Sequence, residues 1–341
     1  MDYLHKNPIK ASQTKKGRFH FLKTRKFKTR VFLCMLLAWP LAHFFVFWVY
    51  INGQTLFLTF FRLDVGGGVT GREGAFYFVG IDNYVRVFRE FFMPTAQGGQ
   101  VRMRRAFLNS FIALPLNVAI ILPIAFICSY AFFKKVRFTM MFRVVFYLPS
   151  IVSIVILTMI YRMMFNHEYG PLFSFFELFG FTPDWFDVGS PSNTIWPLII
   201  LFCIWAGMGG NVILLSSAMA RVPTEVLESA RIDGAGFWRE CFQIILPLIW
   251  GTVSTLIVFG TMAIFGFMMQ PMLLGAQDGG HQGQVYTIAL HIFNVVQSAG
   301  EVTQGTAISM ATYGVLFCLI GGPLIFLSKF LTEKFWRGIE F

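Results

Sequence analysis

Six apolar runs punctuate this sequence, at 31–51, 110–133, 140–165, 194–218, 248–269 and 306–330. A helix rises 1.5 Å per residue and a hydrocarbon core is about 30 Å thick, so each run is long enough to cross a bilayer. Lipid offers a bare backbone no hydrogen-bond partner, so runs of this length satisfy their own peptide groups by coiling into helices. The expectation is an all-α, polytopic integral membrane protein of six transmembrane helices. Of 341 residues, 56% are hydrophobic and 13% charged, and the mean hydropathy is +0.63, which excludes an ordinary soluble domain.

The net charge of +11 invites a nucleic-acid reading, but the charges are in the wrong places for one. Lys6, Lys10, Lys15, Lys16, Arg18, Lys23, Arg25, Lys26, Lys28 and Arg30 all precede the first apolar run. That is the signature of a cytoplasmic anchor facing an anionic lipid leaflet, with no nucleic acid as partner. Residues 1–30 therefore form a basic cytoplasmic segment and 31–51 the first span, too long and too poor in small residues to be a cleaved signal. An external loop, 52–106, and a core, 107–341, follow. Lys134, Lys135 and Arg137 and the tail cations Lys329, Lys334 and Arg337 fall on the same side as the leader. Arginines in the long external loop weigh less in this rule, so both termini are expected in the cytoplasm. Cys34, Cys128, Cys203, Cys241 and Cys318 are scattered without disulfide or metal spacing.

Within the spans, Pro149 is expected to kink the third helix, and Gly207, Gly209 and Gly210 to let the fourth approach a neighbour closely. Asp82-Asn83 is expected to cap a short external helix over 84–92. Trp185 and Phe186 fit an interfacial belt, and Gly279-Gly280-His281 lies in the last external loop.

One polar, charge-mixed stretch, 221–247, separates the fourth and fifth runs. Pro223 suits a first helical residue, and the helix it opens reads through Arg231. Asp233-Gly234 then stops it, because glycine accepts a left-handed backbone, and a second helix starts near Gly236. Leu227, Ala230 and Val226 make the apolar side of the first helix, against Glu225, Glu228 and Arg231. So short an amphipathic piece is expected to use a groove on another protein.

Glu228-Ser229-Ala230, then Gly234, then Ile244-x-Leu246-Pro247 resembles the EAA motif, the coupling loop of permease subunits in binding-protein-dependent ATP-binding-cassette importers. Ser229 stands where that family usually has alanine. The stretches Phe78 to Tyr84, Phe107 to Ser110 and Tyr147 to Ser153 resemble the sugar-permease members, of maltose and glycerol-phosphate type. The resemblance implies a type I importer permease fold in a bacterial plasma (inner) membrane. It implies as partners a second homologous permease, two ATPase subunits gripping the loop, and an extracellular or periplasmic solute-binding protein. Under it Glu228 pairs with a basic group on the ATPase, and Glu225, Ser229, Ala230, Asp233, Gly234, Ala235, Ile244, Leu246 and Pro247 complete the coupling set. ATP would be held by the partner subunits, and this chain would bind no cofactor or metal of its own.

The residues agree from another direction. No GxxxxGK[ST] loop is present, so the chain holds no phosphate cradle, and no intramembrane carboxylate or broken helix is legible to drive a secondary carrier. No HExxH, Ser-x-x-Lys or paired carboxylates mark an enzyme. A channel or secondary carrier for a polar solute is the competing class. For a sugar path the candidates are Tyr147 for ring stacking and Ser153, Asn211, Ser216 and Thr255 for hydroxyl contacts.

Overall fold

In the computed structural model the described residues are 25–64, 68–69, 74–92, 99–166, 168–180, 195–275, 283–298 and 304–337. The leader up to residue 24, Trp185, Phe186 and Gly279-Gly280-His281 lie outside them. The chain divides into two units, 1–57 and 58–341.

The first unit is dominated by α1, an apolar helix over Lys28–Leu58 with none of its apolar window buried. It reaches Leu58 rather than ending at residue 51. Two of its polar side chains bond within the helix: Asn52 Nδ2 donates to the Trp48 carbonyl at 2.6 Å and Thr55 Oγ1 to that of Ile51 at 2.8 Å. Such back-bonding lets a polar side chain sit within a greasy helix.

In the second unit, β1 (Phe61–Asp64) and β2 (Ala75–Phe78) pair antiparallel, Phe61 opposite Phe78. The short helix α2 (Asp82–Phe92) follows. Asn83 lies inside α2, buried, where its amide donates to the carbonyls of Thr59 at 2.9 Å and Phe61 at 2.7 Å. It thus ties the helix to the hairpin instead of capping it, and Arg62 bridges to Asp82 at 2.8 Å. Much of the stretch read as an external loop is therefore folded.

The spans come next. α3 (Met103–Phe133) and α7 (Ile195–Met219) are long and apolar, α3 with a π-helical turn over Leu116–Ile121. Between them α4 (Thr139–Ile151) and α5 (Ile154–Met164) meet at 113°. Pro149 lies within α4, and the break comes three residues later, where Val152 (ψ 145°) and Ser153 (ψ 134°) are extended. A short helix, α6 (Pro171–Glu177), precedes α7. Beyond α7 stand α8 (Thr224–Ile232) and α9 (Phe237–Leu248), the latter meeting α10 (Trp250–Gly266) at 79°. α11 (Ile288–Ser298) and α12 (Gln304–Arg337) close the chain. Among the described residues four helices are each long and apolar enough to cross a membrane, and the number rises to 6 with each bent pair taken as one span. Broken helices are thus present after all, and their apparent absence from the sequence is no argument against a carrier.

α3 and α7 share the largest helix contact, built on buried Phe126, Tyr130, Ile199, Phe202 and Leu215. α4 crosses α7 at Gly209, where a Cβ would stand 2.7 Å from the Phe146 carbonyl oxygen. Outward-facing Met140, Ile151, Leu319 and Phe326 remain exposed, as lipid-facing side chains must.

Hydrogen bonds fix two opposite ends. At one, Lys134 on the end of α3 meets Glu240 of α9, and Trp250 Nε1 donates to the Thr332 carbonyl of α12 at 3.0 Å. At the other, Asn109 of α3 and Trp196 of α7 both donate to the Gln284 carbonyl, at 2.8 and 2.9 Å.

Candidate functional site

The helix–corner–helix of α8 and α9 is built by its local sequence. Pro223 is extended (ψ 137°) and stands at the N-cap, one place before the first helical residue expected of it. α8 ends at Asp233, and Gly234 takes φ +72°. The Gly234 N–H donates to the Arg231 carbonyl at 3.1 Å and the Ala235 N–H to the Ala230 carbonyl at 2.9 Å. That pair of bonds is the glycine-based helix stop in which two otherwise orphaned carbonyls are satisfied. Gly236, extended at ψ 171°, opens α9.

Leu227 and Ala230 are buried, and Leu227 belongs to the main core. The apolar side of α8 is thus covered by its own chain, correcting the expectation that it needs a foreign groove; Val226, expected on that side, is exposed instead. What faces out is Glu225, Glu228, Ser229, Arg231, Ile232, Asp233 and Gly234. Ile232 is 86% exposed and Trp238 59% exposed, a large apolar outlay for a solvated loop. Glu228 has no ion pair among the described residues, and the Ser229 hydroxyl is spent on the Glu225 carbonyl at 2.8 Å. Ala235, Ile244, Leu246 and Pro247 are half-buried, and Leu246 packs against the main core.

No local sequence signal marks the anchor behind this elbow. Lys134 Nζ donates to Glu240 Oε2 at 2.6 Å and lies 2.5 Å from Oε1. Tyr130, one turn earlier on α3, donates its hydroxyl to the Phe237 carbonyl at 3.2 Å.

A cavity of about 290 Å³ lies between the spans. Its walls are Asn117 and Ile121 of α3, Pro149 and Ile154 on either side of the α4/α5 break, Cys203 and Gly207 of α7, and Phe267 and Gln270 beyond α10. Asn117 and Gln270 supply its side-chain amides, and no charged side chain lines it among the described residues. The five residues chosen from sequence are not gathered there. Tyr147 is half-buried on α4, Ser153 is exposed at the break, and Asn211 is half-buried on α7. The Ser216 hydroxyl is buried without a partner among the described residues. Thr255 bonds its own helix at the Gly251 carbonyl, 2.9 Å away.

Residues 121–336 match the family described as binding-protein-dependent transport system inner membrane component. The chain belongs to this family. It is a permease subunit, a transport component of an inner membrane rather than an enzyme, and works with a binding protein. It is similar to the diacetylchitobiose uptake system permease protein NgcF of Streptomyces coelicolor, 27% identical over 88% of this chain and 83% of that one. It is also similar to the arabinooligosaccharides transport system permease protein AraP of Halalkalibacterium halodurans, 25% identical over 76% of this chain and 77% of that one. Its fold matches a chain of a bacterial ABC transporter involved in the import of the acidic polysaccharide alginate. The TM-score is 0.71 at 18% identity, covering 91% of this chain and 98% of that chain.

Proposed function

We propose that this permease carries a neutral oligosaccharide inward, driven by ATP that partner subunits bind and hydrolyse. The observation that carries the reading is the elbow of α8 and α9: a rigid polar projection whose inner face is buried and whose outer face bears an unpaired carboxylate and exposed apolar side chains. That combination fits a docking surface for an ATPase. The elbow shares its end of the molecule with Lys134 and with the Thr332 end of α12. The excess of cations there supports a cytoplasmic location for the elbow and the C-terminus, and the leader cations support one for the N-terminus.

In this reading the chain pairs with a second permease, two ATPase subunits and an external solute-binding protein. Closure of the ATPases shifts the elbows, and the spans turn a central path from outside-open to inside-open as packed bodies. The α4/α5 break beside the 290 Å³ cavity favours it as part of that path, because irregular backbone at membrane depth is tolerated where it lines a cavity. Amide side chains hydrogen-bond hydroxyls, and the Phe267 ring can cover a C–H face of a pyranose. Without a cation in the lining, an acidic sugar would sit uncompensated in a medium of low dielectric. Hence the neutral substrate class, carried by relatives named for diacetylchitobiose and arabino-oligosaccharides.

The test is uptake into vesicles holding the assembled importer, with labelled chito-oligosaccharides, arabino-oligosaccharides and alginate oligomers. ATP-dependent uptake of a neutral sugar is expected. Uptake that ignores ATP, or a preference for the acidic oligomer, defeats the reading.

A further inference from the structure

Three successive turns of α3 face the second leg of the elbow. Phe126, Tyr130 and Lys134 are spaced four apart, so they form one ridge. Phe126 lies 6.0 Å from Phe242, centroid to centroid, and Tyr130 4.7 Å from Phe237. Lys134 closes the row on Glu240, whose side chain is only 3% exposed. A carboxylate this deep needs a cation beside it, since an unpaired buried charge is strongly unfavourable. The cation stands on the last turn of a transmembrane helix, 106 residues away along the chain.

The support on both sides is stiff. Lys134 starts the turn into α4, in which Lys135 and Phe138 both have left-handed backbones, φ 54° and 65°. Non-glycine residues hold that conformation only where the surroundings impose it. On the other side Glu240 begins a π-helical turn, Glu240–Ile245, on which Cys241 and Ile245 are buried. Above the ridge, α3 continues into Ile121 and Asn117, which line the cavity, and packs along α7, whose Cys203 and Gly207 line it too.

We propose that the Lys134–Glu240 pair, with the Tyr130–Phe237 bond beside it, is a transmission clamp that forces α3 to move with the elbow, so that a shift imposed at α8 reaches the cavity wall. Lys134 and Glu240 are positioning residues: neither meets solute or nucleotide. This rests on the reading of the elbow as an ATPase-docking surface. The clamp predicts that cutting the pair leaves the ATPase attached and separates its cycle from the cavity. A pair serving stability alone would lower the amount of folded protein and leave the response to nucleotide intact.

The experiment uses the importer assembled with its ATPase subunits in lipid vesicles. Its probe is N-ethylmaleimide, followed by mass spectrometry of the peptide bearing Cys203, the cavity cysteine. In the unmodified complex, trapping with ATP and vanadate is expected to change the labelling rate of Cys203 by about fivefold or more, the low end of ordinary coupling between sites. Lys134→Met and Glu240→Gln are expected to keep the ATPase bound and hydrolysing while the labelling rate becomes indifferent to nucleotide. The exchanged pair Lys134→Glu with Glu240→Lys, which restores the bridge in reverse, is expected to recover the response. An undiminished response in both single variants overturns the clamp and leaves the docking reading standing. Recovery failing in the exchanged pair while it retains the ATPase also overturns the clamp. If the unmodified complex holds no ATPase at its elbow, the docking reading itself is the one that fails.

Discussion

The Ala235 N–H donates to the carbonyl of Ala230 across Gly234, at 2.9 Å, and so closes the corner between α8 and α9. Gly234 makes this possible at φ +72°, and a Cβ there would meet nothing within 4 Å. The demand on residue 234 is one of backbone conformation and not of space.

Gly234→Asn should therefore preserve transport, because asparagine enters the left-handed region readily, while Gly234→Leu should distort the corner at a cost of about 1–2 kcal/mol. Uptake measured beside the amount of protein inserted in the membrane separates the cases. Transport is expected to fall for leucine alone, with insertion equal in both.

Glu228→Arg should leave the isolated permease as stable as before, within about 0.5 kcal/mol, since the carboxylate is exposed and unpaired. Docked against a basic group and desolvated, the same carboxylate costs about 2–5 kcal/mol to remove. The expected result is a loss of ATPase co-purification by at least an order of magnitude at unchanged melting temperature. Equal retention of the ATPase would remove Glu228 from the interface.

Gly209 and Gly210 are neighbours in sequence with opposite demands. A Cβ on Gly209 would press on the Phe146 carbonyl at 2.7 Å and on Ser150 at 3.0 Å, whereas one on Gly210 meets nothing within 4 Å. Gly209→Ala should destabilise the α4–α7 crossing by about 1–3 kcal/mol, the usual penalty of overpacking. Gly210→Ala should be neutral or slightly stabilising. Thermal unfolding of the two variants in detergent decides it.

Asn117→Ala and Gln270→Ala should each raise the half-saturating sugar concentration about two- to tenfold, as the loss of one hydrogen bond of about 0.5–1.5 kcal/mol requires. Thr255→Ala should change it little, because Thr255 lies outside the cavity lining and its hydroxyl donates to its own helix. A larger effect from Thr255 would move the path to the residues first chosen from sequence.

Those contrasts mark what residue order can carry. The spans and the elbow were legible because their signals are local: apolar length for one, and Pro223, Gly234 and the polar flanks for the other. The break at Val152 and Ser153 was not, since the proline that announces it sits three residues earlier and the extended geometry follows from packing. Asn83 looked like a cap because asparagine often is one, and only the hairpin's carbonyls at Thr59 and Phe61 reveal its use. The bridge from Lys134 to Glu240 leaves no periodic trace, as its partners lie on helices far apart in the chain. For the same reason Asn117 and Gln270 passed unnoticed among apolar neighbours.

Because Leu227 and Ala230 are seated in the permease's own interior, α8 would reach the proposed ATPase partner already folded. An engine engaging it as proposed would meet a finished shape and spend little binding energy on ordering a floppy segment. Grip and release can then be set by the fit of a hard edge and the sign of a few charges, which suits a joint that must be loaded and unloaded at every turn of the cycle.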